Sequence, residues 1–247
     1  MRGGRTGVHA WAMYTGDAAV DVFLDVFDGA PERQLAPGDI LIHAGGSATD
    51  VFNIRKGMLM VSRVGRDGRR QVLSFLLPDN FVGLTASDRY YFTVEAVTPS
   101  IVVSRPRTAL DTRLAADPAA DHAFVNMVFR VLENLVDLTY SLGQRTARER
   151  LAVFILYLRD RHRLDGGVID DTEPALNRLD LPMSREDIAD FLGLKKETVS
   201  RSFRQLEQHG LIERHGSHTV CIRDLSALRE LAGVRDFASA LRLGRPR

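Results

Sequence analysis

The stretch Pro182–Leu211, PMSREDIADFLGLKKETVSRSFRQLEQHGL, predicts two short helices joined by a tight turn. Ser184 is a favourable N-cap residue, and Asp187 three positions later completes a variant of the capping box. Apolar residues recur at helical spacing in both halves of the stretch, and Gly193 between them permits a sharp change of direction. The stretch therefore has the layout of a helix-turn-helix.

The second helix of this stretch carries an apolar and a polar face. The apolar face consists of Val199, Phe203 and Leu206, which predicts that it is buried. Arg can donate two hydrogen bonds to guanine, and Glu can accept one from cytosine, so the polar face is suited to reading base edges. The alternative interpretation is that Glu197 and Arg201 form only a solvent-exposed ion pair, which would contribute about 0.3–0.5 kcal/mol to stability. The capped first helix and the hairpin that follows favour DNA recognition. The polar face consists of Glu197, Ser200, Arg201 and Arg204.

A β-hairpin is predicted directly after the second helix. Gly210 is a natural stop for the helix, and the apolar residues before and after His215-Gly216-Ser217-His218 indicate two short strands around a turn. No Cys or carboxylate lies at a zinc-like spacing from these histidines, so His218 is interpreted as a polar turn residue near a phosphate. The hairpin supplies the wing of a winged helix-turn-helix.

Composition sets limits on the class of protein. Net charge is +1, but residues 1–144 hold 14 Lys and Arg against 16 Asp and Glu, and residues 145–247 hold 19 against 16. The net charge is therefore −2 for residues 1–144 and +3 for residues 145–247. A more positive C-terminal part is expected for a C-terminal DNA-binding domain. The single cysteine excludes an internal disulfide framework, and without an apolar run of about 18 residues no membrane span is expected. We therefore expect a cytoplasmic protein.

The N-terminal part is predicted to be rich in β-structure. Short apolar runs such as DILIHAGG and QVLSFLLPDN alternate with turn residues from Leu35 to Val103, which is typical of a β-roll or jelly roll. The predicted fold class is α+β. Its parts are an irregular leader over 1–20, the β-roll over 21–118, a long dimerisation helix over 119–145 and the winged helix-turn-helix domain over 146–247. Residues 165–181 are predicted to be a flexible, loop-like connection.

The helix between the two domains carries a heptad-like seam. Its apolar residues are spaced 4, 3, 4, 3 and 4, which predicts pairing with the same helix of a second chain. Packing against the chain's own β-roll requires the same spacing, and Met127, Leu132 and Val136 widen the stripe enough for both. The predicted seam consists of Phe124, Val128, Val131, Leu135, Leu138 and Leu142.

The segment LPMSREDIADFLGLKKETVSRSFRQLEQHGLI resembles the DNA-binding region of the CRP/FNR family of bacterial transcription regulators, and its Glu-x-x-Ser-Arg is similar to that of the FNR/FixK branch. The resemblance implies that Glu197 and Arg201 read the C·G pair of a TTGA-type half-site and that Ser200 sets the flanking preference. It also implies a homodimer on palindromic DNA, contact with RNA polymerase, and activation of low-oxygen or energy-metabolism genes. The residues expected at phosphates are Arg185, Lys195, Thr198, Arg204 and His218.

The resemblance also raises the question of a bound cofactor. Cyclic-nucleotide-binding members carry a Gly-Glu pair and a later Arg, whereas here Leu84 follows Gly83 and Arg89 is a candidate substitute for the Arg. Cyclic AMP is therefore not expected, and Tyr90, Tyr91 and Phe92 are predicted to fill the pocket. An FNR-type iron–sulfur cluster needs four ligands, and Cys221 is interpreted as a small buried residue. Haem stays an alternative, with His9, His43 and His122 as candidate ligands.

A second class of function uses the same kind of β-roll. Cupin enzymes hold a metal in the barrel with several histidines and a carboxylate, and here only His43 falls in the predicted strands. An enzyme or small-ligand module is therefore the alternative to the regulator. The sequence predicts binding rather than catalysis and no metal site.

Overall fold

The structure is a computed structural model that describes residues 21–165 and 173–233. The described residues form two compact units, and the boundary between them falls between Val136 and Asp137. The leader predicted over residues 1–20 lies outside the described residues.

The N-terminal unit is built on two four-stranded antiparallel sheets. In the first, the strand order is β1-β8-β3-β6, with β1 Glu32–Leu35, β3 Asp50–Lys56, β6 Phe81–Val82 and β8 Ser100–Pro106. In the second, the order is β2-β7-β4-β5, with β2 Ile40–Ile42, β4 Leu59–Val64, β5 Arg70–Leu76 and β7 Thr93–Ala96. These strands confirm the predicted β-roll.

Glycine is required at the turn between β3 and β4. Gly57 has φ +91°, and a Cβ atom there would lie 2.5 Å from the carbonyl oxygen of Pro99. Both the left-handed backbone and the close approach exclude other residues without strain. The turn residues that mark strand ends in the sequence are therefore fixed by backbone geometry.

Helices cover one side of the roll and build a second apolar cluster. They are α1 Asp21–Leu24, a 3₁₀ turn Asp25–Phe27, α2 Arg107–Ala116 and the long α3 Pro118–Gln144. Phe23, Phe81 and Met127 are each no more than 1% exposed at the centre of this cluster. Arg113 ties the helices together, since its guanidinium lies 2.8 Å from the Asp25 carboxylate and 2.9 Å from that of Asp117. The start of α3 is therefore part of the core of the roll unit.

The C-terminal unit contains α4 Ala147–Asp165, a 3₁₀ turn Pro174–Asn177, β9 Arg178–Asp180, α5 Arg185–Leu192, α6 Lys196–Gln208, β10 Ile212–His215, β11 Thr219–Ile222 and α7 Leu225–Leu231. Helix α4 is the centre of its core, because every side chain from Leu151 to Arg161 is buried. The prediction of a loop over residues 165–181 is wrong for 174–180, where the 3₁₀ turn and β9 form. Residues 166–172 lie outside the described part of the chain.

Strand β9 adds a third strand to the wing. Leu179 pairs with Val220 and Asp180 with Thr219 in antiparallel register, giving the order β10-β11-β9. Leu179 is buried while its neighbours Arg178 and Asp180 are exposed. The wing is therefore a small sheet and not the isolated hairpin that the sequence predicts.

None of the helices in the described ranges is both long enough and apolar enough to cross a membrane.

Candidate nucleic-acid interface

The first helix of the helix-turn-helix, α5, is fixed at both of its ends. The Ser184 hydroxyl accepts a hydrogen bond from the Asp187 amide at 3.0 Å, and the Asp187 carboxylate accepts one from the Ser184 amide at 3.0 Å. This reciprocal pair confirms the predicted capping box. At the other end Gly193 adopts φ +61°, the left-handed conformation that closes the helix and starts the turn. Helix α5 is thereby set as a rigid support for α6.

Helix α6 presents the face predicted for base reading to solvent. Val199, Phe203 and Leu206 are no more than 1% exposed and hold the helix in the domain core. Lys195 is the N-cap residue of α6, and its side chain makes no capping hydrogen bond. A shallow depression on the outer face is lined by Lys196, Glu197, Ser200, Arg201 and Arg204.

Glu197 and Arg201 are both exposed at the N-terminal end of α6. Within the described residues neither takes part in an ion pair or a side-chain hydrogen bond. The interpretation of these two residues as an i,i+4 surface ion pair is therefore wrong for this structure. Their donor and acceptor atoms are available to a ligand with complementary groups, as base edges in the major groove are.

The wing is attached to α6 through a bidentate ion pair. Arg214 in β10 donates from Nη2 and Nε to the Glu207 carboxylate, at 2.6 and 3.1 Å. The Arg214 guanidinium holds the pKa of the Glu207 carboxyl below its usual range. Strands β10 and β11 pair in register from Ile212 opposite Ile222 to His215 opposite Thr219, around a turn with Gly216 at φ +70°. The wing thus keeps a defined position beside the recognition helix.

The residues expected at phosphates fall into two groups. The first group is at least partly exposed: it consists of Lys195, Arg204 and His218, which are exposed, and Thr198, which is partly exposed. A ring nitrogen of His218 also lies 3.1 Å from the Leu181 carbonyl oxygen. Arg185 differs, because its guanidinium carbon lies 3.9 Å from the centroid of the Phe203 ring and its Nη2 donates to the Ser217 carbonyl at 3.0 Å. Arg185 is therefore engaged within the domain.

Sequence reasoning missed Arg150, near the start of α4. Its guanidinium donates to the Leu142 carbonyl at 2.6 Å, to the Leu192 carbonyl at 2.9 Å and to the Arg145 carbonyl at 2.9 Å. These carbonyls lie at or near helix ends, where backbone acceptors lack partners within the helix. Arg150 thus fastens the end of α5 to α4. Helix α4 contains several Arg residues, and nothing in the sequence distinguishes Arg150 from the others for this role.

The six residues predicted for the dimer seam differ in exposure along α3. Phe124 and Val131 pack against the core of the roll unit, and Leu138 is 9% exposed. Val128 and Leu135 alone of the six are strongly exposed, at 42% and 49%, while Leu142 is partly buried. The roll covers one edge of the wide apolar face, so the exposed apolar side chains lie further around the helix. We call these exposed side chains the α3 stripe; it consists of Val125, Val128, Phe129, Leu132, Leu135 and Val136.

Aromatic side chains of the chain itself pack in the interior of the β-roll. Tyr90 is 6% exposed and Phe92 5%, in a cluster with residues from both sheets. The Tyr90 hydroxyl donates to the Asp50 carbonyl at 2.6 Å, and exposed Arg89 donates to the Gly45 carbonyl at 2.7 Å. The prediction that Tyr91 also fills the pocket is wrong, because Tyr91 is 55% exposed.

The remaining candidate ligand residues are His43, His122, His9 and Cys221. Among residues 21–165 and 173–233, no three His, Cys, Asp or Glu side chains are grouped to hold a metal ion. His43 and His122 are exposed, and His9 lies outside the described part. Cys221 is only partly buried, on the face of β11 opposite to buried Val220 and Ile222, so its interpretation as a buried residue is wrong.

Comparison with known proteins gives two domain matches. The Crp-like helix-turn-helix domain matches residues 149–231, and the cyclic nucleotide-binding domain matches residues 32–117. The first match contains the recognition helix and the wing. The second contains the eight strands of the roll.

Relatives match over most of the chain. The nitrogen fixation regulation protein FixK of Azorhizobium caulinodans is 37% identical over 184 residues, which are 74% of this chain and 72% of that protein. The transcriptional activator protein FnrA of Stutzerimonas stutzeri is 33% identical over 203 residues, 81% of this chain and 80% of that protein. The structure of FixK2 from Bradyrhizobium japonicum superposes with a TM-score of 0.72 at 28% identity and covers 82% of this chain and 96% of that one.

The β-roll, the long helix and the winged helix-turn-helix define a DNA-binding transcription regulator and not an enzyme. The alternative of a cupin-like enzyme is not favoured. The chain belongs to the CRP/FNR family, and its relatives include FixK- and FNR-type proteins, as the Glu-x-x-Ser-Arg pattern predicts.

Proposed function

We propose that this protein is a homodimeric transcription activator that reads a palindromic TTGA-type operator. The observation that carries the proposal is the exposed polar face of α6, on which Glu197, Ser200 and Arg201 have no competing ion pair within the described residues. Arg201 would donate to guanine O6 and N7 while Glu197 accepts from the N4 amino group of cytosine, and Ser200 adjusts the neighbouring preference. Phosphate contacts set register and affinity, and these three side chains set sequence choice.

The α3 stripe supports the dimer. Its six apolar side chains are 39% to 60% exposed along twelve residues of one helix. Soluble chains rarely leave a contiguous apolar patch of this kind in water, and two identical stripes related by a two-fold axis would bury each other. A two-fold dimer would place two α6 helices about 34–36 Å apart, one turn of DNA, and this requires a palindromic operator.

The proposed signal pathway uses no cyclic nucleotide. Tyr90 and Phe92 occupy the roll interior, and the position after Gly83 is Leu84 instead of the Glu that would hold a ribose. A cyclic phosphate buried there would lack its usual counter-charge. We propose activation of low-oxygen or energy-metabolism genes in the cytoplasm through contact with RNA polymerase, by analogy with relatives named as activators.

A selection of bound sequences from random duplex DNA tests the operator. We expect the purified full-length protein to enrich inverted TTGA-type repeats at one fixed spacing, and a parallel selection with and without air tests for an oxygen signal. Enrichment of a single unpaired half-site would contradict the dimer. Enrichment of no sequence at all would contradict sequence-specific binding altogether.

Lys195→Ala should weaken binding to all sequences alike. Lys195 is exposed at the N-terminus of α6, where a phosphate contact contributes affinity without sequence information. We expect the slope of log K against log salt to flatten by about 0.9, the contribution of one phosphate on B-DNA. The measurement is a fluorescence-anisotropy titration at several salt concentrations on operator and scrambled duplex. A loss confined to the operator would instead identify Lys195 as a base contact.

A further inference from the structure

Arg185 is the first residue of α5 and joins three parts of the winged domain. Its guanidinium carbon lies 3.9 Å from the centroid of the Phe203 ring in α6. Its Nη2 atom donates to the carbonyl oxygen of Ser217, in the turn between β10 and β11, at 3.0 Å. Phe203 is fully buried, so the ring is a fixed platform for the guanidinium. One side chain thus links the start of α5, the core of α6 and the tip of the wing.

The environment of this guanidinium differs from that of an exposed Arg side chain that binds a phosphate. Arg185 is partly buried, and the loss of solvent lowers its pKa, as does the nearby charge of Arg214. An Arg stays protonated under these conditions and can stack its plane on an aromatic ring while it donates from its edge. A Lys ammonium has the same charge but no plane to stack. The geometry therefore uses the properties that distinguish Arg from Lys.

The turn of the wing is held on both of its sides. The end of β10 is held by the pair between Arg214 and Glu207, and the far side of the turn is held where the Leu181 amide donates to the His218 carbonyl at 2.6 Å. Gly216 and Ser217 lie between these two points and are exposed. The bond from Arg185 reaches this intervening part and ties it toward α5 and α6.

We infer that Arg185 is a positioning residue that holds the tip of the wing against the recognition helix, in place of the phosphate contact that the family resemblance implies. The inference deepens the proposed DNA-binding function and rests on it. Arg185 contributes to operator affinity through the position of the wing, so its charge alone does not suffice. The prediction that separates the two roles is the behaviour of Arg185→Lys, which retains the charge and removes the stacked plane.

The test compares the full-length wild type with Arg185→Lys and Arg185→Ala. We expect both variants to bind the operator about tenfold more weakly, since both lose the cation–π contact and the anchored turn. The slope of log K against log salt should equal that of the wild type, because Arg185 itself contacts no phosphate and the Lys and Arg side chains of α6 keep their phosphate contacts. Lys195→Ala is the matched control whose slope should flatten. Thermal unfolding of each variant confirms that the domain is folded.

Hydrogen–deuterium exchange without DNA provides a second readout. The amides of residues 214–219 should exchange faster in both Arg185 variants than in the wild type, while those of α5 and α6 keep their protection. If the Lys variant binds like the wild type, the Ala variant flattens the salt slope by about 0.9 and the wing exchanges normally, Arg185 is a phosphate contact and the inference is wrong. Should the wild type fail to prefer the operator, the proposed function fails, and the exchange data still decide the role of Arg185.

Discussion

Leu132→Glu combined with Val136→Glu should convert the protein to a monomer and reduce operator affinity by more than about 100-fold. The two side chains are 56% and 60% exposed in the C-terminal half of the α3 stripe, so the substitutions leave the core of the roll unit intact. In a two-fold dimer they would place carboxylates in an apolar contact, at a cost of several kcal/mol. Without the partner, two half-sites no longer act together, and their combined affinity falls by about 10²–10⁴.

Sedimentation equilibrium and operator titration measure the two consequences independently. Leu132→Met with Val136→Ile is the matched control, because it changes the same positions and keeps the stripe apolar. The control should remain dimeric with wild-type affinity. A Glu variant that stays dimeric would show that the α3 stripe is not the interface, whereas a monomeric variant with full operator affinity would show that dimerisation is not needed for binding.

The reading motif could be predicted from sequence because its signals are local. The bonds between Ser184 and Asp187 span three residues, and the turn at Gly193 depends on that residue's own φ. The exposed face of α6 follows from the spacing of Val199, Phe203 and Leu206 alone. Each of these features is set within one or two helical turns, where periodicity and capping are reliable guides.

The α3 stripe shows where periodicity stops being sufficient. A helix that packs on its own domain and a helix that pairs with a partner both need apolar residues three and four apart. Phe124 and Val131 lie in the roll core while Leu132 and Val136 are exposed. The choice between these neighbouring rows depends on where the roll lies against the helix, which is tertiary information that the heptad pattern lacks.

Two further differences between the sequence-based predictions and the structure have separate causes. The three residues of β9 include only one apolar side chain, Leu179, and they form a strand because β11 offers an edge with free hydrogen-bonding groups. In the roll, Tyr90 and Phe92 are buried while Tyr91 between them is exposed. Consecutive residues of an extended chain point to opposite sides, so three adjacent aromatic residues do not all enter one core.

Arg201→Ala should weaken binding to the preferred operator by about 1–3 kcal/mol, which corresponds to about 5- to 140-fold, and relax the preference at one base pair of each half-site. Arg201 is exposed on α6 within the depression that also contains Glu197, and within the described residues it has no ion pair that the substitution would break. The expected loss is therefore loss of DNA contact and not of stability. A side chain that donates to guanine also leaves that base's acceptors without a partner when it is removed.

The measurement is a set of titrations on the operator and on duplexes with each base pair of the half-site replaced in turn. For the wild type, replacing the guanine contacted by Arg201 should reduce the binding free energy by about as much as the Arg201→Ala substitution does. For the Arg201→Ala variant, replacing the same guanine should reduce the binding free energy little further. This non-additivity identifies the contacted pair, because interactions that share a partner do not add. Arg204→Ala is the control on the same face, with a loss expected to be uniform over all duplexes. If Arg201→Ala also loses the same factor on every duplex, including scrambled DNA, Arg201 contacts phosphate and the α6 face does not read the operator through this residue.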